Sequence, residues 1–416
     1  MLKAIHSRFY GHELLQVGSI SQVSEFDTPT DIVTHCPSLA ERFPFHLDAF
    51  LYQSPPNPQK VVEAHNRINN FLAKETNSRI WTVREILSQL SFSKLRKLVI
   101  DSSDCKFEIT PGLELDGLKK KMSYKYLDYS LSRLNKDSLI DLLMLHPTVT
   151  IKVDGSSTGF SVTEIPVSPL SNFMFTRDQQ IATAKGIVMG RYGARQRAFE
   201  NVLMKSVWNQ LGISPIGSII TPGVLEGGDF VPLGYEMAML GVGLRTNMEA
   251  ARQLMKNDLI GTQKFVIVED VHDLNNQRTH LDTIFSAIDD KVCMCLDKVA
   301  QDDPRYMRIV HEYVKHEGNY VEELQMPFGK WLRNNGFTII MVSIEQQKKR
   351  FLNNLHLGKD VYGRSKIITT NPQVENTLKS HGFDGNIVYM DMNEITSMDG
   401  GVHSITQVLR DRKSVV

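Results

Sequence analysis

The chain has 416 residues, and its 47 basic and 47 acidic side chains cancel. That balance gives no bulk charge to recruit a polyanion, so no nucleic-acid partner is expected, and the lack of any apolar run of about 18 residues argues against a membrane span. Four cysteines, Cys36, Cys105, Cys293 and Cys295, are too sparse for a disulfide framework, so a reducing compartment, the cytoplasm, is expected.

The opening Met1–Arg8 carries bases and no acid but no long apolar stretch, and reads as a first strand or an unstructured end rather than a targeting segment. From about Thr82 to His146 helical patterns dominate: Val83–Leu90, Tyr126–Leu134, and a run capped by Asn135 with Leu139, Leu142 and Leu143 as its apolar stripe. This segment, 82–146, is expected to be an all-helical insertion in a catalytic domain spanning 1–416, with Lys119-Lys120-Lys121 on a solvated face. Beyond it, β-rich runs at Thr148–Val153, Ile187–Gly190, Met237–Val242, Phe265–Val268, Thr338–Val342 and Asn386–Tyr389 alternate with helical patterns over Ala194–Leu211 and Asn247–Asn257. Such alternation predicts an α/β fold. Cys293 and Cys295, two apart on a strand, share one face; packing as small hydrophobes explains them better than metal ligation.

Four dense blocks carry the chemistry: Phe175-Thr-Arg-Asp178, Leu225-Glu-Gly-Gly-Asp229, His280-Leu-Asp-Thr283 and Gly400-Gly-Val-His-Ser404. Together they supply carboxylates and imidazoles on short, partly Gly-flanked segments. A guanidinium is planar and forked, so carboxylates must meet its N–H groups from more than one side; Asp178 and Asp282 suit that task. Resonance slows attack of water on the central carbon, so a nucleophile helps, and His280 backed by Glu226 could move the protons. The glycines before Asp229 would let backbone approach a ligand closely. Arg195 and Arg245, with Asn172, could hold an amino-acid carboxylate. Each feature taken alone has a plainer explanation as a turn or a surface charge.

Together, Asn172-Phe-Met-Phe-Thr-Arg-Asp178, Ala194-Arg-Gln-Arg197, Leu225–Asp229, Arg245, His280–Phe285 and the terminal Gly-Gly-Val-His block resemble, in that order, the guanidino-group-modifying superfamily, and within it the arginine deiminases. The resemblance implies a pseudo-fivefold α/β-propeller of ββαβ modules. It implies that Asp178 and Asp282 hold the guanidinium, that Glu226 and His280 transfer protons with Asp229 nearby, and that Asn172, Arg195 and Arg245 hold the α-carboxylate. Phe175 would pack on the aliphatic stem or the guanidinium face, and His403 would be a further substrate-binding residue. The position of the cysteine nucleophile is Ser404, so the chain is expected to be an inactive Cys-to-Ser form of an enzyme turning L-arginine and water into L-citrulline and ammonia. No cofactor or metal is implied; a homo-oligomer is compatible with the sequence. Asp399 departs from the family, which usually carries an arginine there.

Rivals remain. An arginine-binding pseudoenzyme would carry Ser404 naturally, and an amidinotransferase or other guanidino hydrolase would share the blocks. Agmatine deiminases end in a similar block, but their substrate has no α-carboxylate for the Arg195/Arg245 pair. A distant rival, an iron oxygenase, is suggested by His280-x-Asp282, His403 and Arg412-x-Ser414. It requires a double-stranded β-helix and leaves Glu226, Asp229 and Asp178 unexplained.

Overall fold

The computed structural model describes residues 21–38, 41, 52–102, 104–109, 125, 128–146, 148–153, 161–164 and 169–410. Met1–Arg8, Lys119–Lys121 and Arg412–Ser414 lie outside them. Five sheets share one plan, in which a central strand has an antiparallel neighbour on one side and a parallel neighbour, reached through a helix, on the other. A parallel pair needs such a crossover, because a tight turn can only return the chain antiparallel.

Gln180–Ala182, Ile187–Met189, helix Ala198–Gln210 and Gly217–Ser218 build one unit. Phe230–Pro232, Met237–Val242, helix Met248–Lys256 and Lys264–Asp270 build the next, and the hairpin Arg308–His316 and Asn319–Pro327 extends that sheet to five strands. Phe285–Asp289, Val292–Leu296, helix Phe328–Asn334 and Thr338–Val342 follow, then Leu355–Lys359, Ser365–Thr369, helix Gln373–Ser380 and Asn386–Tyr389. The remaining unit is closed from both ends of the described chain. Pro29–Thr34 pairs in parallel with Arg79–Thr82 across helix Pro58–Glu75, and antiparallel with Gln407–Arg410. The fold is the expected pseudo-fivefold α/β-propeller of ββαβ units.

Each helix buries the stripe that its periodicity marks. In Pro58–Glu75 the buried face is Val61, Ala64, Ile68 and Leu72, and Asn57 caps its first turn by accepting from Lys60 N–H. Cys293 and Cys295 are free thiols buried in their strand, in the packing role expected of them. Among the described residues no helix is long and apolar enough to cross a membrane.

Segment 82–146, expected to be an all-helical insertion, also holds a strand. Helices Val83–Ser88, Phe92–Ser102 and Lys136–Leu145 are present, the first with a Thr82/Glu85 capping box and the last capped by Asn135. Their apolar faces, including Ile86, Leu95, Val99 and Leu143, share one core with Leu203, Val207 and Trp208 of Ala198–Gln210. Between them lies strand Asp104–Ile109, which pairs with Thr148–Val153, itself paired with Ser161–Glu164. Asp-Cys-Lys-Phe-Glu-Ile alternates polar and apolar residues, the strand period, but the helical patterns on both sides obscure so short a run. The small sheet carries the unit past His146.

Leu409, fully buried in the strand that joins the two ends of the described chain, tests this closure. Leu409→Ala should cost about 2–5 kcal/mol in denaturant unfolding, whereas Lys330→Ala, on an exposed helix position, should change stability by less than about 0.5 kcal/mol.

Candidate active site

In every propeller unit a short turn leads into the first strand. Asp178 precedes Gln180–Ala182, Glu226–Asp229 precedes Phe230–Pro232, His280–Thr283 precedes Phe285–Asp289, Asn353 precedes Leu355–Lys359, and His403-Ser404 precedes Gln407–Arg410. The units are tied to one another around the ring at these turns. Arg177 N–H donates to Ser404 O at 3.1 Å and Gly227 N–H to Asp178 O at 3.1 Å. Leu281 N–H donates to Asp229 Oδ1 at 2.9 Å, Asn354 Nδ2 to Ser286 Oγ at 3.3 Å, and His403 N–H to Asn353 Oδ1 at 2.9 Å.

The glycines of the second block serve this closeness. A Cβ on Gly227 would run into the carbonyl oxygens of Arg177 and Gln180, and one on Gly228 would lie 2.7 Å from His280 Nδ1. Only bare backbone lets the turns touch here.

Side chains converge on this ring. One ligand atom each from Asp178, Glu226 and His280 lies within 4.8 Å of the others. His280 Nε2 meets Glu226 Oε2 at 3.0 Å. Burial alone would discharge the imidazole, but the Asp178 charge, the hydrogen bond to Glu226 and the Asp229 charge push its pKa up to about 10. The same pairing lowers the Glu226 carboxyl against its own burial. His280 is therefore an imidazolium at neutral pH, a proton donor held between acids. Asp229, buried with Oδ2 unpartnered, is pushed up to about 7 by desolvation, the His280 charge opposing.

Asp282 and His403 form a second pair. His403 Nδ1 lies 2.9 Å from Asp282 Oδ2, and its Nε2 lies 3.6 Å from Glu25 Oε1. Burial and Arg177 oppose protonation of His403, yet the two carboxylates hold its pKa above the ordinary imidazole value. Glu25 also faces Arg177 and Arg410, at 3.7 and 3.4 Å. Ser404 is half-buried, and its Oγ accepts from Asn353 Nδ2 at 2.9 Å.

The residues expected to grip an amino-acid head differ in burial. Asn172 is buried with Oδ1 unpartnered; Arg245 is partly exposed, its Nη1 3.6 Å from Glu226 Oε1; Arg195 is exposed. Phe175 is buried under the terminal turn, where a Cβ on Gly400 would strike its ring. The buried arginine of the Ala194–Arg197 block is Arg197. It forks onto Glu200 with two 2.9 Å bonds, reaches Asp178 at 3.2 Å, and stacks over Tyr192 at 4.2 Å. The Arg197-x-x-Glu200 spacing, a helical i,i+3 pair, could have marked it. No motif announces Glu25, Arg350 or Asn353. Arg350 is buried and paired with Asp399, so a guanidinium does face that turn, supplied from the neighbouring unit.

The sequence profile of the arginine deiminase family matches residues 48–410, most of the chain. The chain belongs to the arginine deiminase family. An arginine deiminase of Staphylococcus haemolyticus (strain JCSC1435) is 23% identical over 268 residues, 59% of this chain and 61% of that protein. One from Staphylococcus aureus (strain MRSA252) is 24% identical over 266 residues, with the same coverage of 59% and 61%. The match thus spans about three fifths of the length of these relatives. Among solved structures, an amidinotransferase of saxitoxin biosynthesis from Microseira wollei is similar with a TM-score of 0.51 at 12% identity, covering 95% of this chain and 98% of that one. A dimethylarginine dimethylaminohydrolase adduct gives 0.50 at 14%, covering 92% and 100%. These likenesses show the propeller fold, which also removes the basis of the iron-oxygenase rival, since that chemistry is tied to a double-stranded β-helix.

Asp229 gives the site a pH signature. Between the ordinary carboxylate value of about 4 and about 7, the folded protein keeps a proton that the unfolded chain has lost. Its contribution to stability therefore falls as pH rises through that window. Asp229→Asn keeps an oxygen for Leu281 N–H and should flatten this part of a stability-versus-pH curve measured by denaturant unfolding; a variant as steep as the parent would contradict the assignment.

Proposed function

We propose that the chain is an arginine deiminase whose active form carries cysteine at 404, and that with Ser404 it binds L-arginine without turning it over. The observation that carries the reading is the convergence of Asp178, Glu226 and His280 on one small volume, in a family member whose Ser404 stands on a turn of the same ring. In the active form the thiolate would attack the guanidinium carbon while Asp178 and Asp282 accept its N–H groups. The protonated His280 gives its proton to the departing nitrogen, which leaves as ammonia, and an amidino-thioether remains. Neutral His280, oriented by Glu226, then takes a proton from water as that water attacks, and the thiolate leaves citrulline. A bound guanidinium beside Asp178 and Glu226 also lowers the His280 pKa by like-charge repulsion, bringing it nearer the range where it can both give and take a proton.

Asn172, Arg195 and Arg245 are proposed to hold the α-carboxylate. The substrate is a small molecule, no cofactor or metal takes part, and the cytoplasm is the proposed location. Ser404 itself favours one second reading, a natural arginine-binding pseudoenzyme. A serine hydroxyl ionises far less readily than a thiol, and losing a covalent nucleophile can cost about a million-fold in rate.

Citrulline assays separate the two. Ser404→Cys should raise arginine hydrolysis by several orders of magnitude over the parent; an inactive Cys form supports the pseudoenzyme, and a rapid Ser form overturns the thioether route. By calorimetry, the parent should bind arginine more tightly than agmatine, and Asp178→Ala should abolish binding, a loss of roughly 3–5 kcal/mol for an unpaired buried cation. Equal affinity for arginine and agmatine would remove Arg195 and Arg245 from the clamp.

A further inference from the structure

Four of the five turns that ring the centre carry the acid, imidazole and nucleophile positions named above. The fifth, 350–354 ahead of Leu355–Lys359, carries none of them, although it occupies the equivalent place in its unit. Among its buried polar residues is Asn353, and two hydrogen bonds tie that side chain to the terminal turn. Oδ1 accepts from His403 N–H at 2.9 Å. Nδ2 donates to Ser404 Oγ at 2.9 Å. A Cβ on Gly401 would lie 2.8 Å from Asn353 Cγ, so the glycine leaves the room that the amide fills.

The orientation of the amide is fixed by chemistry. A backbone N–H can only donate, so the atom facing His403 must be the oxygen, and the NH₂ group must face residue 404. The side chain at position 404 therefore receives a hydrogen bond. For a serine hydroxyl this leaves its own proton free for another acceptor. For a thiol the same donor favours the anion, because a bond to the charged form stabilises it.

We propose that Asn353 is the positioning residue of the nucleophile, aiming the side chain at 404 through its Nδ2–H and favouring its ionised form. This rests on the reading of 404 as the nucleophile's position and deepens it. Asn353 acts through residue 404 and need not touch substrate.

The test uses the full chain with Ser404→Cys, and follows iodoacetamide alkylation against pH, with the Ser404 parent supplying the background from the other cysteines. Asn353→Asp keeps an oxygen for His403 N–H but replaces the donor with an acceptor. It should raise the pKa of the thiol introduced at position 404 by about one unit or more, seen as an alkylation rate at neutral pH that is lower by about tenfold. Asn353→Ala should shift it in the same direction by less. A role confined to holding the turn predicts that Asn353→Ala and Asn353→Ser, which add no charge, titrate like their parent, and that result overturns the proposal; the carboxylate of Asn353→Asp raises the thiol pKa by repulsion as well. Because alkylation needs no arginine, the two ideas fail separately. A titration that depends on Asn353 in a protein that makes no citrulline keeps the positioning role and removes the deiminase; citrulline formation with a titration indifferent to Asn353 does the reverse.

Discussion

The structure depends on five turns hydrogen-bonded in a ring. Each precedes the first strand of a propeller unit, and each gives a donor to the turn or strand start of the unit before it, from Arg177 N–H on Ser404 O through to His403 N–H on Asn353 Oδ1. Strand starts near a propeller axis lack a full ladder of partners, and buried amides left unpaired are costly. Pairing turn with turn satisfies them and draws the units inward. The close approach then dictates residue type: Gly227 and Gly228 are bare because the next atoms are the carbonyls of Arg177 and Gln180 and the ring of His280.

Drawing the turns together also concentrates charge, and the charges must balance within a low-dielectric centre. They gather in two groups. Arg197 is shared among Glu200, Asp178 and Glu226, with His280 completing the set against Glu226. Glu25 lies among Arg177, Arg410 and His403, and His403 is held from its other side by Asp282. Removing one member of either group leaves a desolvated ion behind. This explains why the expected guanidinium ligands already have cationic partners in the free protein. Arg197 touches Asp178 through Oδ2, and an incoming cation has to share or displace such partners.

The α/β alternation and the four blocks are legible in the sequence, because acids and histidines beside glycines are rare enough to stand out in one pass along the chain; the propeller follows only from the family resemblance those blocks carry. What stays hidden is whatever acquires its meaning from a neighbour far away. Asn353 sits in Phe351-Leu-Asn-Asn354, an ordinary polar pair until the turn closes 50 residues downstream at His403. Glu25 meets Arg410 across 385 residues. Motif position alone favours Arg195 over Arg197, and only helix phase decides which of the two turns inward. The strand Asp104–Ile109 escapes a reading by periodicity because its partner, Thr148–Val153, lies across the helices that disguise it.

Charge is matched at one of the two positions, 399 and 404, where the sequence differs from the pattern the resemblance implies. Asp399 stands where the family resemblance leads one to expect an arginine, and Arg350 reaches it from the adjoining unit. Ser404 differs in kind. Its surroundings include an amide donor from Asn353 and a turn fixed through Arg177 N–H. A hydroxyl does not ionise there at neutral pH, so it gains little from donors that a thiolate would use fully. Buried, oriented charges cost stability to maintain. A pocket relieved of chemistry would have no reason to keep His280 charged between Glu226 and Asp178. On the proposed reading, the intact network around a non-ionising side chain is therefore better explained by one replacement at 404 than by the gradual loss of a catalytic site.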